Sequence, residues 1–162
     1  HSFPTRRSSD LAKIIVIERE AEKRKLAVEL GATMALSDQE IEDVAKQENI
    51  DYVIECIGLK STMEQAIRIA GKHAKVLLFG LGDPKQPISF NQFEAYTKEL
   101  SIYTSYLNPL CSERAVHLLE SGQINTNKII SARLTLEEMG EELKTLRYAK
   151  KGKVLVSVSG EH

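Results

Sequence analysis

The sequence predicts an α/β fold, with a doubly wound parallel sheet followed by a C-terminal segment in which the predicted strands and helices are spaced differently. Short apolar runs rich in Ile, Leu and Val recur without polar alternation, which is typical of parallel strands that are covered on both faces. Segments with a helical spacing of apolar residues separate these runs, as right-handed strand–helix–strand crossovers require. Most of the chain is therefore expected to form one α/β domain.

The strands of the first part are β-branched or leucine-rich runs that are too short for helices. They are predicted at residues 14–17, 34–36, 52–55, 76–79 and 100–104, with helices at 21–30, 37–47, 61–70 and 91–97. Gly31 is the expected end of the first helix. Ser37 and Ser61 each begin a Ser-x-x-Glu pattern, which is typical of a capping box. The helix after Ser61 carries one apolar stripe, formed by Met63, Ala66, Ile67 and Ala70.

The C-terminal segment is expected to begin near residue 108. A helix is predicted at 112–121, a strand at 129–133, a helix that opens with Thr135-Leu-Glu-Glu138, and a strand at 153–158. The inward face of the first of these helices is predicted to hold Ala115, Leu118 and Leu119. The second is predicted to bury Leu136, Met139, Leu143 and Leu146, and to expose Glu137, Glu138, Glu141 and Glu142.

Composition excludes several classes of protein. The 162 residues are 42% hydrophobic and 28% charged, which does not fit a disordered, collagen-like or disulfide-stapled chain. The net charge of −1 lacks the basic excess of nucleic-acid binders, and no apolar stretch approaches the roughly 18 residues of a membrane span. Two distant cysteines, Cys56 and Cys111, indicate reduced thiols in a cytoplasmic protein.

The first eleven residues, His1 to Leu11, have neither a helical nor a strand period. They lack the apolar region of a signal peptide. The string resembles the in-frame translation of a common sequencing adapter, so we expect a leader that is not native and a natural sequence that starts near residue 12. The expected organisation is a leader at 1–11, a truncated dinucleotide-binding domain at 12–107 and a C-terminal segment at 108–162.

Glu18 carries the clearest functional signal, because it ends a buried strand and precedes a helix. In dinucleotide-binding units, an acidic residue at that position accepts hydrogen bonds from the adenosine ribose. A carboxylate also repels the 2′-phosphate of NADP, which favours NAD. The adjacent Arg19 favours phosphate instead and keeps NADP possible. A solvated charge at a strand end explains Glu18 about as well.

Two glycine-containing turns follow strands at the edge where open α/β sheets bind ligands. Ile57-Gly58 follows the third strand and Gly80-Leu-Gly82 follows the fourth. Taken alone, these glycines are explained at least as well by ordinary turns between a strand and a helix. The glycine-rich phosphate loop that should lie about 20 residues before Glu18 is absent, and truncation of the chain explains its absence.

The order and spacing of several segments resemble the C-terminal half of a zinc-type alcohol dehydrogenase, within the medium-chain dehydrogenase/reductase superfamily. The segments are Lys13-Ile-Ile-Val-Ile-Glu18, Asp51-Tyr-Val-Ile-Glu-Cys-Ile-Gly58, Val76-Leu-Leu-Phe-Gly-Leu-Gly82, Leu119-Glu-Ser-Gly-Gln-Ile124 and Lys153-Val-Leu-Val156. Within the superfamily, the chain is similar to the sorbitol-like polyol and threonine dehydrogenases. The resemblance implies a Rossmann-type sheet that lacks its first strand, and a tail that returns to the catalytic domain.

The resemblance also implies cofactor-binding positions. Glu18 and Lys23 would lie at the adenosine ribose, with Arg19 beside them. Ile57 and Gly58 would line the adenine side of the groove. The nicotinamide carboxamide would meet backbone groups of Phe79, Gly80 and Leu81, and Lys153 would approach the pyrophosphate.

The family's catalytic and structural zinc ligands lie in its N-terminal half, so the resemblance implies no catalytic residue and no metal ligand in this chain. The intact protein is expected to use NAD, with NADP possible, and zinc. It would oxidise a small alcohol or polyol, would form a homo-oligomer, and would bind neither nucleic acid nor membrane. The chain by itself is expected to be inactive and to bind NAD weakly or not at all.

Two alternatives to a zinc-dependent alcohol dehydrogenase stay open. The first is a zinc-free, NADPH-dependent reductase of the same superfamily, which Glu18 disfavours and Arg19 keeps possible. The second is a nucleotide-binding module with no catalysis of its own. The segment after residue 108 disfavours that module, because nucleotide binding alone does not need it.

Overall fold

The computed structural model describes residues 13–107, 110–149 and 151–158, so the predicted leader lies outside the described residues. The chain divides into two compact units between Leu110 and Cys111. The first unit alternates strands and helices in the order β1 Ile15–Ile17, α1 Ala21–Glu29, β2 Met34–Leu36, α2 Glu40–Gln47, β3 Tyr52–Glu55, α3 Lys60–Ile69, β4 Lys75–Leu78, α4 Gln92–Thr97 and β5 Ser101–Thr104.

The strands of the first unit form two parallel ladders. In one ladder β1 pairs with β2, with Ile15 opposite Met34. In the other, β4 lies between β3 and β5, with Lys75 opposite both Tyr52 and Ser101. Among the described strands, β1 and β3 have no ladder between them. The α/β class with parallel sheets and a Rossmann-like arrangement is therefore confirmed.

Helix α3 covers one face of the larger ladder and makes the core of this unit. The buried cluster consists of Ala66, Ile67, Ala70, Ala74 and Val76, and Val53, Leu78, Ile88 and Leu100 pack against it. Met63 is also buried, so the predicted apolar stripe of this helix is confirmed. Burial of a Val or Ile side chain stabilises a fold by about 1.5–3 kcal/mol, so this helix–sheet contact stabilises the first unit.

The opposite face of the same ladder is open, which corrects the expectation that both faces are covered. Side chains alternate along a strand, so Tyr52 and Ile54 point away from α3. They are 63% and 65% exposed, and Tyr103 on β5 is 50% exposed. The unbroken apolar runs of the sequence are typical of sheets with two covered faces, but the described residues cover only one.

The start of α3 also differs from prediction. The helix begins at Lys60, and its N-cap residue, Leu59, makes no side-chain capping bond. Ser61 therefore lies inside the helix and the predicted capping box there is wrong. Thr62 makes the local polar contacts instead, because its Oγ1 donates to the carbonyl of Leu59 (2.9 Å) and to a carboxylate oxygen of Glu55 (2.7 Å).

The second unit contains α5 Ser112–Glu120, β6 Ile130–Thr135, α6 Leu136–Thr145 and β7 Lys153–Ser157. Strands β6 and β7 are parallel, with an irregularity between Ile130 and Ala132. A helix opens at Thr135 as predicted, and its start forms a capping box: the Thr135 hydroxyl accepts the N–H of Glu138, and the Glu138 carboxylate accepts the N–H of Thr135.

The helices of the second unit bury different residues from those predicted. On α5, Ala115, Leu118 and Leu119 are all exposed. Leu136, Leu143 and Leu146 are exposed as well, whereas Glu142 is buried and accepts the N–H groups of Tyr148 and Ala149. The Glu142 carboxylate supplies an acceptor for two backbone N–H groups just after the helix end. These hydrogen bonds outweigh the amphipathic pattern, which predicts an exposed Glu142. No helix in the described ranges has the length and apolar character of a membrane span.

Candidate functional site

The first predicted residue, Glu18, follows β1 directly and is half-buried. Its N–H donates to the carbonyl of Leu36 at 2.9 Å, which extends the β1–β2 ladder by one residue. Its carboxylate Oε1 accepts the N–H of Glu20 at 3.0 Å. A carboxylate has about four lone-pair positions, so this contact leaves most of its capacity for the hydroxyl groups of a ligand.

Arg24, which the sequence reasoning missed, closes the turn after β1. Its Nη1 donates to the carbonyl oxygens of Glu18 (2.7 Å) and Arg19 (2.6 Å). The available signal was its place one turn into the helix that follows an acidic strand end. The structure places the predicted Lys23 against Glu20, with Nζ and Oε1 2.7 Å apart. That hydrogen bond, helped by the nearby charges of Glu20 and Glu18, raises the pKa of Lys23.

The structure brings the turns after β3 and β4 together. Gly58 is buried and adopts a φ of 88°, in the left-handed region that favours glycine. A Cβ on Gly58 would lie 2.3 Å from the carbonyl oxygen of Leu81, and one on Gly80 would lie 2.2 Å from the backbone nitrogen of Gly58. Neither position has room for a side chain, so the two turns cross in backbone contact. We call this contact the glycine crossing.

Exposed apolar side chains surround the glycine crossing. Ile57 is 63% exposed, Phe79 is 48% exposed and Leu81 is 87% exposed. All three lie just beyond a strand end, where a planar ligand can approach backbone and apolar surface at once. The predicted groups Ile57, Gly58, Phe79, Gly80 and Leu81 therefore form one local surface.

Glu55, the last residue of β3, is the other residue that sequence reasoning missed. Its side chain is only 5% exposed although it is a carboxylate. Its Oε1 accepts the N–H groups of Ile57 (2.8 Å) and Gly58 (2.9 Å) and the hydroxyl of Thr62 (2.7 Å). Its place at the end of a strand immediately before a glycine turn was the only signal in the sequence.

The remaining candidates are Lys153 and the two cysteines. Lys153 is the first residue of β7, in the second unit. Cys56 and Cys111 are exposed and form no disulfide. Burial and the charge of Glu55 raise the pKa of the Cys56 thiol. Within the described ranges, no group of three or more His, Cys, Asp or Glu side chains could hold a metal ion.

Comparison with known proteins places this geometry in a family. The sequence model of the family described as zinc-binding dehydrogenase matches residues 9–121. The L-arabinitol 4-dehydrogenase of Aureobasidium melanogenum is 30% identical over 105 residues, which cover 65% of this chain and 28% of that protein. The D-arabinitol dehydrogenase 1 of Uromyces fabae is 24% identical over 140 residues, which cover 81% of this chain and 40% of that protein.

Solved structures agree in fold. A protein of Sinorhizobium meliloti 1021, described as a zinc-binding dehydrogenase bound to NADP, superposes with a TM-score of 0.80 at 31% identity. The alignment covers 91% of this chain and 45% of that one. Galactitol-1-phosphate dehydrogenase from Escherichia coli gives a TM-score of 0.76 at 25% identity, with 89% and 46% covered. The chain thus spans less than half the length of these relatives, and it belongs to the zinc-binding dehydrogenase family.

Proposed function

We propose that this chain is the dinucleotide-binding part of a longer dehydrogenase, which transfers hydride between NAD(H) and an alcohol or polyol. The observation that carries the proposal is the glycine crossing, where two turns at neighbouring strand ends meet in backbone contact beside exposed Ile57 and Phe79. The relatives named for arabinitol and galactitol-1-phosphate support a polyol substrate.

Each part of the surface has a role in this proposal. Glu18 accepts hydrogen bonds from the hydroxyl groups of the adenosine ribose, and Ile57 and Gly58 line the adenine side. The N–H groups of Phe79 and Gly80 already donate to the carbonyl of Glu55, at 2.9 and 3.0 Å. The nicotinamide carboxamide is therefore left with the carbonyl oxygens of this turn and with the N–H of Leu81. That N–H makes no hydrogen bond within the part of the chain that the structure describes.

The chemistry of the reaction belongs to the bound dinucleotide. The alcohol loses a hydride to the nicotinamide ring and a proton to solvent, and becomes a carbonyl compound. This chain orients the ring against the substrate, which lowers the entropic part of the barrier. The described residues do not fit a zinc site, so the zinc ligands of a zinc-type enzyme would come from other residues. We therefore propose that the chain alone catalyses no hydride transfer.

A second candidate is a preference for NADP. Arg19 is exposed beside Glu18, and a guanidinium binds phosphate well. The Sinorhizobium relative is bound to NADP, which supports this candidate. Glu18 opposes it, because a carboxylate at the ribose repels a 2′-phosphate.

The first experiment is to sequence the source locus upstream of the codon for residue 12. We expect the reading frame to continue into a strand with a glycine-rich loop and, further upstream, into Cys and His or Glu ligands. A genome that encodes His1 to Leu11 after a start codon would overturn the dehydrogenase proposal and favour a binding module. The purified chain should reduce no NAD with polyols, and turnover at an ordinary enzymatic rate would contradict its inactivity.

The second experiment compares NAD and NADP affinities in the protein expressed from its full gene. Glu18→Gln should shift selectivity toward NADP by about tenfold, because it removes one unfavourable charge interaction at the ribose. Arg19→Ala should weaken NADP selectively if the second candidate is correct. Glu22→Gln is the matched control, since Glu22 is exposed in the first turn of α1, four residues further on, and pairs with Lys25. An unchanged ratio in Glu18→Gln would remove Glu18 from the site.

A further inference from the structure

We propose that Glu55 is the positioning residue of the dinucleotide groove, because one buried residue holds both turns of the glycine crossing. This inference rests on the proposed function. It adds a role for a side chain that does not itself touch the cofactor. The contacts of the carboxylate, the carbonyl and the second carboxylate oxygen each support it.

The carboxylate holds the turn after β3. Its Oε1 accepts two consecutive N–H groups, from Ile57 and Gly58, within three residues of its own Cα. Thr62 on α3 adds a hydroxyl at 2.7 Å, so the same oxygen ties the turn to the first turn of the helix. Bonds to an ionised acceptor are about twice as strong as neutral ones. The turn is thus fixed to its strand and to its helix by a single atom.

The carbonyl of the same residue holds the turn after β4. It accepts the N–H groups of Phe79 at 2.9 Å and Gly80 at 3.0 Å. This is where the β3–β4 ladder ends, since Glu55 is paired with Leu78 as its last register position. Movement of Glu55 would therefore change the position of both turns, and with them the groups proposed to contact adenine and nicotinamide.

The second carboxylate oxygen also lies at the glycine crossing, beside Gly80. Oε2 is buried and has no hydrogen-bond partner among the described residues. It occupies the space beside Gly80, where an added Cβ would lie 2.7 Å from it. Burying an acceptor without a donor costs free energy. The hydrogen bonds that Oε1 and the carbonyl oxygen of Glu55 accept offset this cost.

Glu142, in the second unit, is a matched control that tests whether Glu55 acts only on its own turn. Glu142 is 4% exposed, and its Oε1 accepts the consecutive N–H groups of Tyr148 (2.9 Å) and Ala149 (2.7 Å). It resembles Glu55 in burial and bonding but lies in the other unit. If Glu55 only caps its own turn, the two residues should behave alike when they are replaced.

Amide hydrogen exchange of the 162-residue chain tests the geometry without a cofactor. In Glu55→Ala, we expect exchange at Ile57 and Gly58 to rise roughly ten- to hundredfold, and exchange at Phe79 and Gly80 to rise with it. Glu55→Gln keeps one oxygen acceptor and should restore part of the protection. Glu142→Ala should affect only Tyr148 and Ala149. Unchanged exchange at Phe79 and Gly80 in Glu55→Ala would overturn the link between the turns.

NADH and NADPH affinity of the protein expressed from its full gene tests the functional part. We expect Glu55→Ala to weaken binding about tenfold or more, with Glu55→Gln between it and the wild type, and Glu142→Ala to leave binding unchanged. Thr62→Val, which removes one donor to Oε1 and keeps the carboxylate, gives a milder variant if Glu55→Ala does not fold. Equal binding by Glu55→Ala and wild type would overturn the inference. Wild-type protein that binds neither nucleotide would instead overturn the proposed function, before any variant is compared.

Discussion

Two glycines with opposite surroundings show what a single residue contributes to this fold. Gly80 lies in the glycine crossing, where a Cβ would come within 2.2 Å of backbone. Gly140 lies inside α6, where a Cβ would meet nothing within 4 Å. We expect Gly80→Ala to lower the free energy of unfolding by about 1–3 kcal/mol or more, through overpacking against backbone. Gly140→Ala should raise it by about 0.5–1 kcal/mol, because alanine favours the helix.

Urea denaturation of both variants measures these changes in free energy. The pair is its own control, since each variant adds the same methyl group. A Gly80→Ala protein as stable as wild type would contradict the backbone contact between the two turns.

Residue-scale prediction from the sequence placed Glu18 and the two glycine turns at strand ends, because strand ends can be read from apolar runs. Their roles in cofactor binding stay predictions. Glu55 and Arg24 were missed because their roles depend on burial and on backbone carbonyls that come together only in the folded chain. Glu55 is only 5% exposed, but the turn residues beside it in the sequence give no indication of that burial.

At the scale of elements, the capping box of α6 is the clearest local determinant. Thr135→Ala removes the hydroxyl that accepts the N–H of Glu138 and should lower the free energy of unfolding of the second unit by about 1 kcal/mol. Thr145→Ala is the matched control, since Thr145 is the last residue of the same helix and bonds only the carbonyl of Glu141. Thermal melts that shift equally for both variants would show that the cap does not stabilise α6.

The link between α2 and α3 should make stability depend on pH. Arg68 Nη2 lies 2.7 Å from Glu42 Oε1, and this hydrogen bond holds the pKa of Glu42 below its usual range. A lowered pKa in the folded state stabilises the fold above the usual carboxyl pKa of about 4.3 and loses that effect as pH falls through the lowered value. Because the pair is partly exposed, Glu42→Gln should cost at most about 1 kcal/mol at pH 7, and the cost should shrink as the pH falls below the usual carboxyl pKa.

The control for this prediction is Asp43→Asn. Asp43 pairs with Lys46 within α2 and does not reach α3. Its replacement should change stability less than Glu42→Gln at pH 7. Denaturation curves for both variants across pH 3–7 give the comparison, and a pH-independent loss in Glu42→Gln would point to packing rather than charge.

The Ser-x-x-Glu patterns at Ser37 and Ser61 show how far local sequence patterns reach. Ser37 makes both contacts of a capping box, because the Glu40 carboxylate accepts the N–H of Ser37 at 2.7 Å and the Ser37 hydroxyl accepts the N–H of Glu40 at 3.4 Å. The same pattern at Ser61 fails because α3 begins at Lys60, whereas Ser61 as N-cap would begin it at Thr62. There the tertiary contact of Thr62 with Glu55 outweighs the local pattern. Element type and order follow from the sequence because they depend on local propensity, but the exact start of a helix also depends on its neighbours.

For the whole molecule, amphipathic patterns predicted the positions of helices correctly, but they did not predict which apolar faces are buried. Leu118 and Leu119 on α5, and Leu136 and Leu143 on α6, are exposed although their spacing is that of buried residues. The same holds for Ile54 on the open sheet face. An apolar stripe indicates that a surface tends to be covered, but only the folded chain shows whether the described residues supply the cover.

The gap between the two ladders of the first unit has a consequence for how this unit opens. Among the described residues, no ladder joins β1 and β2 to β3, β4 and β5. Side-chain contacts between α2 and α3 help to join the two groups. We expect two subglobular openings in native-state exchange with rising urea, with Val16 and Ile17 released at lower urea than Leu77 and Leu78. A single merged isotherm would show that the unit unfolds as one cooperative body although no ladder joins its two groups of strands.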